Sequence, residues 1–191
     1  MNKKLLPAVL LSLALSACVS IGAKPPASLF SLTADAAPAT GATASGKLNE
    51  ALSVLEPTAD AKVSVLRVPV QIDETRIAYL KKALWVERPS RQFQHLLSET
   101  LRARGNRLIT ENDAGTKGLR LSGRLLDMGY DARTRSAVVR FDATRETPGG
   151  TIDTRRFESV VGGIDPEAPD VAPALNRAAN DVAKQVADWV G

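Results

Sequence analysis

The sequence predicts an α+β fold: a mostly antiparallel sheet with a C-terminal meander, covered on one face by two main helices. Three observations carry this. Between residues 117 and 161, apolar and polar side chains alternate in three successive runs. Two other stretches, 89–104 and 170–189, repeat apolar residues every three or four positions. Proline and glycine punctuate the chain between these runs, as at Pro57, Pro69, Gly105 and Gly149-Gly150.

The chain opens Met1-Asn2-Lys3-Lys4, followed by 13 residues, Leu5 to Ala17, without a charge. A basic head, an apolar run and small residues at its end form an export signal. The run is too short to cross a bilayer, which takes about 20 apolar residues. Leu15-Ser16-Ala17-Cys18 has the form of a bacterial lipobox, in which the thiol receives a diacylglycerol and a peptidase then cuts before it. Cys18 is the only cysteine, so it has no disulfide partner, and a metal site would lack its other ligands. The competing reading is an incidental cysteine in a general secretory signal. We therefore expect a lipoprotein signal peptide over residues 1–17 and lipid attachment at Cys18. Stable anchoring takes about two lipid signals, which a di- or triacylated cysteine supplies. Val19 and Ser20 replace the Asp that retains many lipoproteins at the inner membrane, so the expected site is the outer membrane, facing the periplasm. Losing Lys3 and Lys4 with the signal lowers the formal charge of +4 by two, and no nucleic-acid partner is indicated.

Residues 18–46 make the second part: the lipidated N-terminus, a short strand and a loop. Ser28 to Leu32 alternates like a strand, and residues 33–46 are nearly all Ala, Thr, Gly, Ser and Pro. That composition offers too little apolar bulk to offset ordering, which predicts a flexible loop; an Ala-rich helix is opposed by Pro38, Gly41 and the threonines. Residues 47–191 have the length and composition of one globular domain.

Within it, "ALSVLEP" and "AKVSVLRVPV" carry Val and Leu at strand spacing. "RIAYLKKALWVER" fits either a helical stripe through Ile77, Leu80 and Leu84 or a short strand around Trp85. In "PSRQFQHLLSETLRARG", Phe93, Leu96, Leu97 and Leu101 share a helical face, Pro89 or Ser90 opens the helix and Gly105 closes it. "NRLITE" reads as a strand. In the meander, Leu119, Leu121 and Leu125 lie on one face with Arg120, Ser122 and Arg124 on the other; Val139, Phe141 and Ala143 alternate with Arg140, Asp142 and Thr144. "TPGG" turns into a third strand, "TIDTRRFESVV". The last helix carries Val171, Leu175, Ala178, Val182, Val186 and Trp189, with Asp170 able to cap its start and Pro173 in its first turn. Trp85 and Trp189 are both expected in the core.

Chemistry is sparse. His95, the sole histidine, stands on the polar side of the first helix with Ser98 three residues on, but neither a nucleophile elbow nor an orienting acid is placed by motif. No carboxylate cluster has metal-loop spacing, and no glycine pattern cradles a phosphate. The expectation is no catalytic residue, no metal and no cofactor. Between 117 and 156 there are nine Lys or Arg, eight of them Arg, against five acids. Arg120, Arg124, Arg140 and Arg156 project from wet faces of adjacent strands, where guanidinium groups would suit anionic headgroups or an acidic partner. Cross-strand pairing that merely solubilises the sheet is the alternative.

"LRVPVQIDETRIAYLKKALWVERPSRQFQHLLSETLRARG" followed by "LRLSGRLLDMGYDARTRSAVVRFDATRE" resembles the ABC-type transport auxiliary lipoproteins, the group that includes the paraquat-inducible protein C type. The shared features are the lipobox, an early aromatic strand at Phe30, Val68-Pro69 after a strand, and Trp85 just before a helix that begins near Pro89. Two departures stand out: Phe30 where tyrosine is common, and a long loop after it. The resemblance implies a non-enzymatic, lipid-anchored periplasmic subunit that works with an ABC permease, its ATPase and an MCE-type substrate-binding protein in lipid transport. It transfers no catalytic residues, only Cys18, and leaves self-association open. The competing class is a scaffolding lipoprotein that serves an outer-membrane β-barrel; a lipoprotein hydrolase is a third.

Overall fold

The structure, a computed structural model, describes residues 28–105, 107–113 and 118–191; the expected signal peptide and Cys18 lie outside them. Eight strands form one sheet, and two helices pack on a single face of it. The strands are β1 (Leu52–Val54), β2 (Thr58–Ala59), β3 (Arg67–Gln71), β4 (Ile77–Leu84), β5 (Ile109–Thr110), β6 (Leu119–Asp131), β7 (Ser136–Glu146) and β8 (Ile152–Gly162). The helices are α1 (Pro89–Arg102) and α2 (Ala168–Val190).

The meander is present as the alternation implies. β6 and β7 pair antiparallel from Arg120↔Glu146 to Asp131↔Ser136, and β7 and β8 from Ser136↔Gly162 to Glu146↔Ile152. The other half of the sheet corrects the expectation of a mostly antiparallel arrangement. β1, β2 and β3 all run parallel to β6, opposite Leu119–Leu121, Arg124-Leu125 and Tyr130-Asp131 in turn. β5 is parallel to β1; only β4 is antiparallel to its neighbour, β3. The reason is a chain path that never reverses: residues 52–71 advance beside β6 in its own direction, with their extra length taken up at Pro57 and in a 3-10 turn, Ala61–Val63. The sheet is therefore mixed.

Other sequence expectations are sharpened. The ambiguous 76–88 stretch is strand β4, and Trp85 forms a parallel bridge with Phe30, which is as much of the Ser28–Leu32 strand as forms. "AKVSVL" is not extended throughout, because its first three residues make the 3-10 turn that buries Val63. "NRLITE" contributes only Ile109-Thr110. α2 begins at Ala168, a turn before the expected start; Asp170 lies inside its first turn, the N-cap residue Glu167 makes no side-chain cap hydrogen bond, and Pro173 is tolerated within the helix. Residues 33–46 carry no strand or helix, though their first backbone amides are tied to α2 by Thr33 N to Asn176 Oδ1 (2.8 Å) and Asp35 N to Asn180 Oδ1 (2.8 Å).

The core lies between sheet and helices. Leu121, Leu125, Met128, Val139, Phe141 and Phe157 face Phe93, Leu97, Leu175, Val182 and Val186, all buried. The alanines of α2, at 174, 178, 179, 183 and 187, are also buried and let its backbone approach β7 and β8 closely. At about 1.5 Å per residue, 23 residues span about 34 Å, the length of an 11-residue strand at about 3.3 Å per residue. Phe93 meets Phe141 edge-on at 5.1 Å. Gly123 makes that possible: a Cβ there would sit 2.5 Å from the Phe141 ring and 2.2 Å from the Asp142 carbonyl oxygen. Trp85 is 2% exposed and meets Phe30 edge-on at 5.5 Å, whereas Trp189 is only half-buried, against Phe157 and beneath Arg145. The buried amide of Gln94 donates to the carbonyls of Val54 and Glu111, closing the ends of β1 and β5.

A bulge sets which side chains face the helices along β6. The register with β7 steps between Leu125 and Asp127, so Leu126 is extra and the parity of the strand inverts. Without it Met128 and Tyr130 would face away from the helices and Asp127 toward them.

Leu121→Asp and Phe141→Asp are each expected to destabilise by several kcal/mol, because an unpaired carboxylate enters the buried face. Gly123→Val should be comparably severe, since the facing carbonyl is backbone and cannot give way, while Gly162→Ala, which meets nothing within 4 Å, should be close to neutral. Thermal melts of the four variants check both claims.

Candidate functional site

The face of the sheet turned away from the helices gathers the four predicted arginines. Arg120 and Arg124 on β6, Arg140 on β7 and Arg156 on β8 all lie on it, brought together by cross-strand pairing. Each is already engaged. Arg120 meets Asp113 at 2.8 Å and Glu146 at 3.9 Å; Arg124 meets Asp60 at 2.6 Å. Arg140 bridges Asp127 (2.7 Å) and Glu158. Arg156 holds Asp142 with two parallel hydrogen bonds of 2.6 and 2.7 Å, the fork geometry that favours arginine over lysine. Lys62, from the 3-10 turn beside β3, joins this ladder through Asp127. Asp127 reaches the open face only because of the bulge at Leu126.

Toward the β6–β7 turn the same face carries a cleft of about 310 Å³, lined among others by Lys62, Gln71, Asp127, Gly129, Arg133 and Arg140. Gly129 is required there because a Cβ would lie 2.5 Å from the Pro69 carbonyl oxygen of β3. The charges around the cleft cancel, with Asp131 held by Arg133 at 2.6 Å as Asp127 is by Lys62 and Arg140.

His95 stands apart, on the sheet's other side. Its Nδ1 lies 2.7 Å from Glu111 Oε2, and Arg102 joins Glu111 and Glu99 at 2.8 Å each. Ser98 is fully buried and its Oγ has no hydrogen-bond partner among the described residues, so the imidazole is turned to a carboxylate and not to that hydroxyl. No group of three His, Cys, Asp or Glu among the described residues is placed to hold a metal ion. No helix among them is long and apolar enough to cross a membrane.

Sequence reasoning missed Lys62 and Asp127 as members of the charged ladder. The signal for Asp127 was the doubled apolar pair Leu125-Leu126, which breaks strict alternation and marks the bulge.

The ladder has a pH signature. The hydrogen bonds from Arg156 hold the Asp142 carboxyl below its ordinary value, and burial opposes this only in part. A depressed folded-state value contributes stability above about pH 4, where the unfolded group is also ionised, and that contribution is lost as pH falls through the folded value. Wild type should therefore exceed Asp142→Asn in melting temperature at pH 7, and the gap should close as pH falls below about 4.

Comparison with known proteins follows the same domain. Two solved structures share the fold: the crystal structure of an uncharacterized protein (TM-score 0.70, 12% identity, 85% of this chain and 97% of that one) and that of a Xanthomonas campestris protein of family DUF330 (TM-score 0.70, 13% identity, 85% and 94%). A search of curated proteins finds no match. A family model described as the ABC-type transport auxiliary lipoprotein component matches residues 30–187, from the Phe30 bridge to the last turn of α2. Spanning the whole folded domain, that match places the chain in the family of ABC-type transport auxiliary lipoproteins.

Proposed function

We propose that this protein is the non-enzymatic, lipid-anchored periplasmic subunit of an ABC/MCE-type lipid transport system that maintains the outer membrane. The observation that carries the reading is membership of a transport auxiliary family, joined to a lipobox that ends at Cys18, 12 positions before the matched domain begins. The family supplies the association with an ABC transport system. The MCE-type substrate-binding protein, the permease and ATPase as working partners, and lipid as cargo come from the family resemblance of the sequence.

The four arginines fit the role of a partner face better than that of a bare anion trap. Each is neutralised within the chain, so an incoming phosphate would have to displace an existing carboxylate. An acidic and basic strip on a partner protein would instead exchange ion pairs with the ladder. Exchange of this kind yields register and specificity more than raw affinity.

Three outcomes test the proposal. Cys18→Ser should leave the precursor uncleaved by the lipoprotein peptidase and unlabelled by radioactive palmitate; label that persists in the variant would remove the anchor. Wild-type protein should fractionate with the outer membrane, and recovery mainly in the inner membrane would overturn that placement. Deleting the gene should weaken the envelope barrier to detergent as deletion of the cognate permease does, with the double deletion no worse than either. Additive defects, together with crosslinks from the arginine face to a β-barrel and not to an MCE-type protein, would favour the scaffolding class.

A further inference from the structure

The arginines of the open face answer to carboxylates, which makes the exceptions informative. Among the described residues, Arg67, Lys81 and Lys82 have no ion pair, and all three line one cleft of about 280 Å³ at the β4 edge, together with Tyr79 and Leu84. Arg67 stacks its guanidinium on the Tyr79 ring at 4.2 Å. Among the described residues the other cations without an ion pair are Arg107, just before β5, Arg155 on β8 and Arg177 on α2.

The cleft has a backbone origin. β3 and β4 pair at Pro69↔Tyr79 and again at Arg67↔Leu84, so Leu80 to Ala83 all stand against Val68. Leu80 and Ala83 are buried, and the surplus is thrown outward as Lys81-Lys82. Lys82 pays for this with a φ of +57°, a left-handed conformation that lysine rarely adopts. The bulge thus places two adjacent ammonium groups in solvent, beside a third cation, with no acid among them.

Next to the cleft lies a rim of large exposed apolar side chains: Leu29 (50% exposed), Leu66 (44%) and Val86 (53%), with Val65 close by in sequence. They sit on three segments that run side by side. Phe30 N donates to Leu84 O at 2.7 Å, Val86 N to Phe30 O at 2.9 Å and Trp85 N to Leu66 O at 2.8 Å. This is also the corner at which the chain enters the domain. Leu29 follows Cys18 by 11 positions, a span of at most about 40 Å when fully extended at about 3.6 Å per residue.

We propose that this corner docks on the surface of an anionic phospholipid bilayer, with Arg67, Lys81 and Lys82 against headgroup phosphates and Leu29, Leu66 and Val86 pressed among the headgroups. Unpaired cations that border exposed apolar side chains match such a surface in both charge and hydropathy. The short tether selects the bilayer over a soluble partner, because it holds this face near the membrane that carries the acyl chains. The inference rests on the proposed acylation of Cys18. It adds that the domain lies in a fixed orientation, β4 edge down and β8 edge away, and does not hang free on its linker.

The test uses the mature acylated chain with one new cysteine, Val86→Cys or Ile152→Cys, carrying an environment-sensitive fluorophore. Each protein is reconstituted in vesicles of phosphatidylethanolamine and phosphatidylglycerol that contain a lipid-borne nitroxide quencher. Label at position 86 should be quenched severalfold more than label at position 152, on the opposite edge of the sheet. The difference should vanish in vesicles of phosphatidylcholine alone, or with Arg67→Glu, Lys81→Glu and Lys82→Glu combined, while the protein still floats with the vesicles through its acyl chains and keeps its circular dichroism spectrum. Protein that floats but shows equal quenching at the two positions overturns the docking proposal and leaves the anchor standing. Protein that carries no acyl label overturns the anchor and the docking together. Displacement of the position-86 signal by millimolar inorganic phosphate would reveal a free-phosphate site, and disulfide-linked Val86→Cys copies in place of quenching would reveal a contact between copies; either result overturns the bilayer as the occupant.

Discussion

The structure depends on satisfying both edges of β6. A 13-residue strand in the middle of a sheet presents backbone donors and acceptors on each side, and a buried group left unpaired costs about as much as a lost hydrogen bond. β7 satisfies one edge from Arg120 to Asp131, interrupted at the Leu126 bulge. No single strand satisfies the other; β1, β2 and β3 share it in series. Everything else follows from that division. The helices cover the face that β6, β7 and β8 make apolar, and α1 reaches it through the Phe93–Phe141 contact over Gly123. The jogs between β1, β2 and β3 deliver Asp60 and Lys62 to the opposite face, where they meet Arg124 and Asp127.

The parts of the fold that sequence reveals are those with long uninterrupted periods. The three meander strands and both helices repeat a pattern over 11 residues or more, so period 2 and period 3.6 separate cleanly. Strands of two to five residues, such as β1, β2, β3 and β5, offer too few positions for a period, and nothing in a short apolar run marks direction. Parallel pairing was therefore not legible, because it depends on which strand lies alongside and not on local composition. The bulge at Leu126 left a trace in Leu125-Leu126, and the one in β4 left Lys81-Lys82 inside an otherwise apolar stretch. Of the charged face, the four arginines were readable from alternation alone. One of their carboxylate partners, Asp60 for Arg124, lies 64 positions away, and only the folded chain brings it near.

Charge is distributed unevenly over the molecule. The open face is dense in arginine yet locally neutral, which gives it a patterned surface with little long-range field. The β4 corner has fewer cations, but among the described residues no acid pairs with them. Surface ion pairs contribute little stability individually, so the ladder is a weak brace for the sheet, which suits the partner face proposed above. Under the proposed function and docking, the patterned face would meet a protein while the cationic corner meets the membrane.

The ties between the first described residues and α2 carry a consequence for the order of assembly. Asn180 accepts from Asp35 N and donates to Thr33 O, while Asn176 accepts from Thr33 N. These contacts join residues 143 to 147 positions apart, close to the greatest separation the domain allows. Contacts of high sequence separation are the slowest to close, because the chain entropy of the intervening loop must be lost first. Residues 33–35 thus take their seat from a helix synthesised more than 130 residues later. Until α2 is complete, Thr33 and Asp35 lack the asparagines that hold them, while Phe30 can already rest on Trp85 and Leu32 on Gln92 of α1.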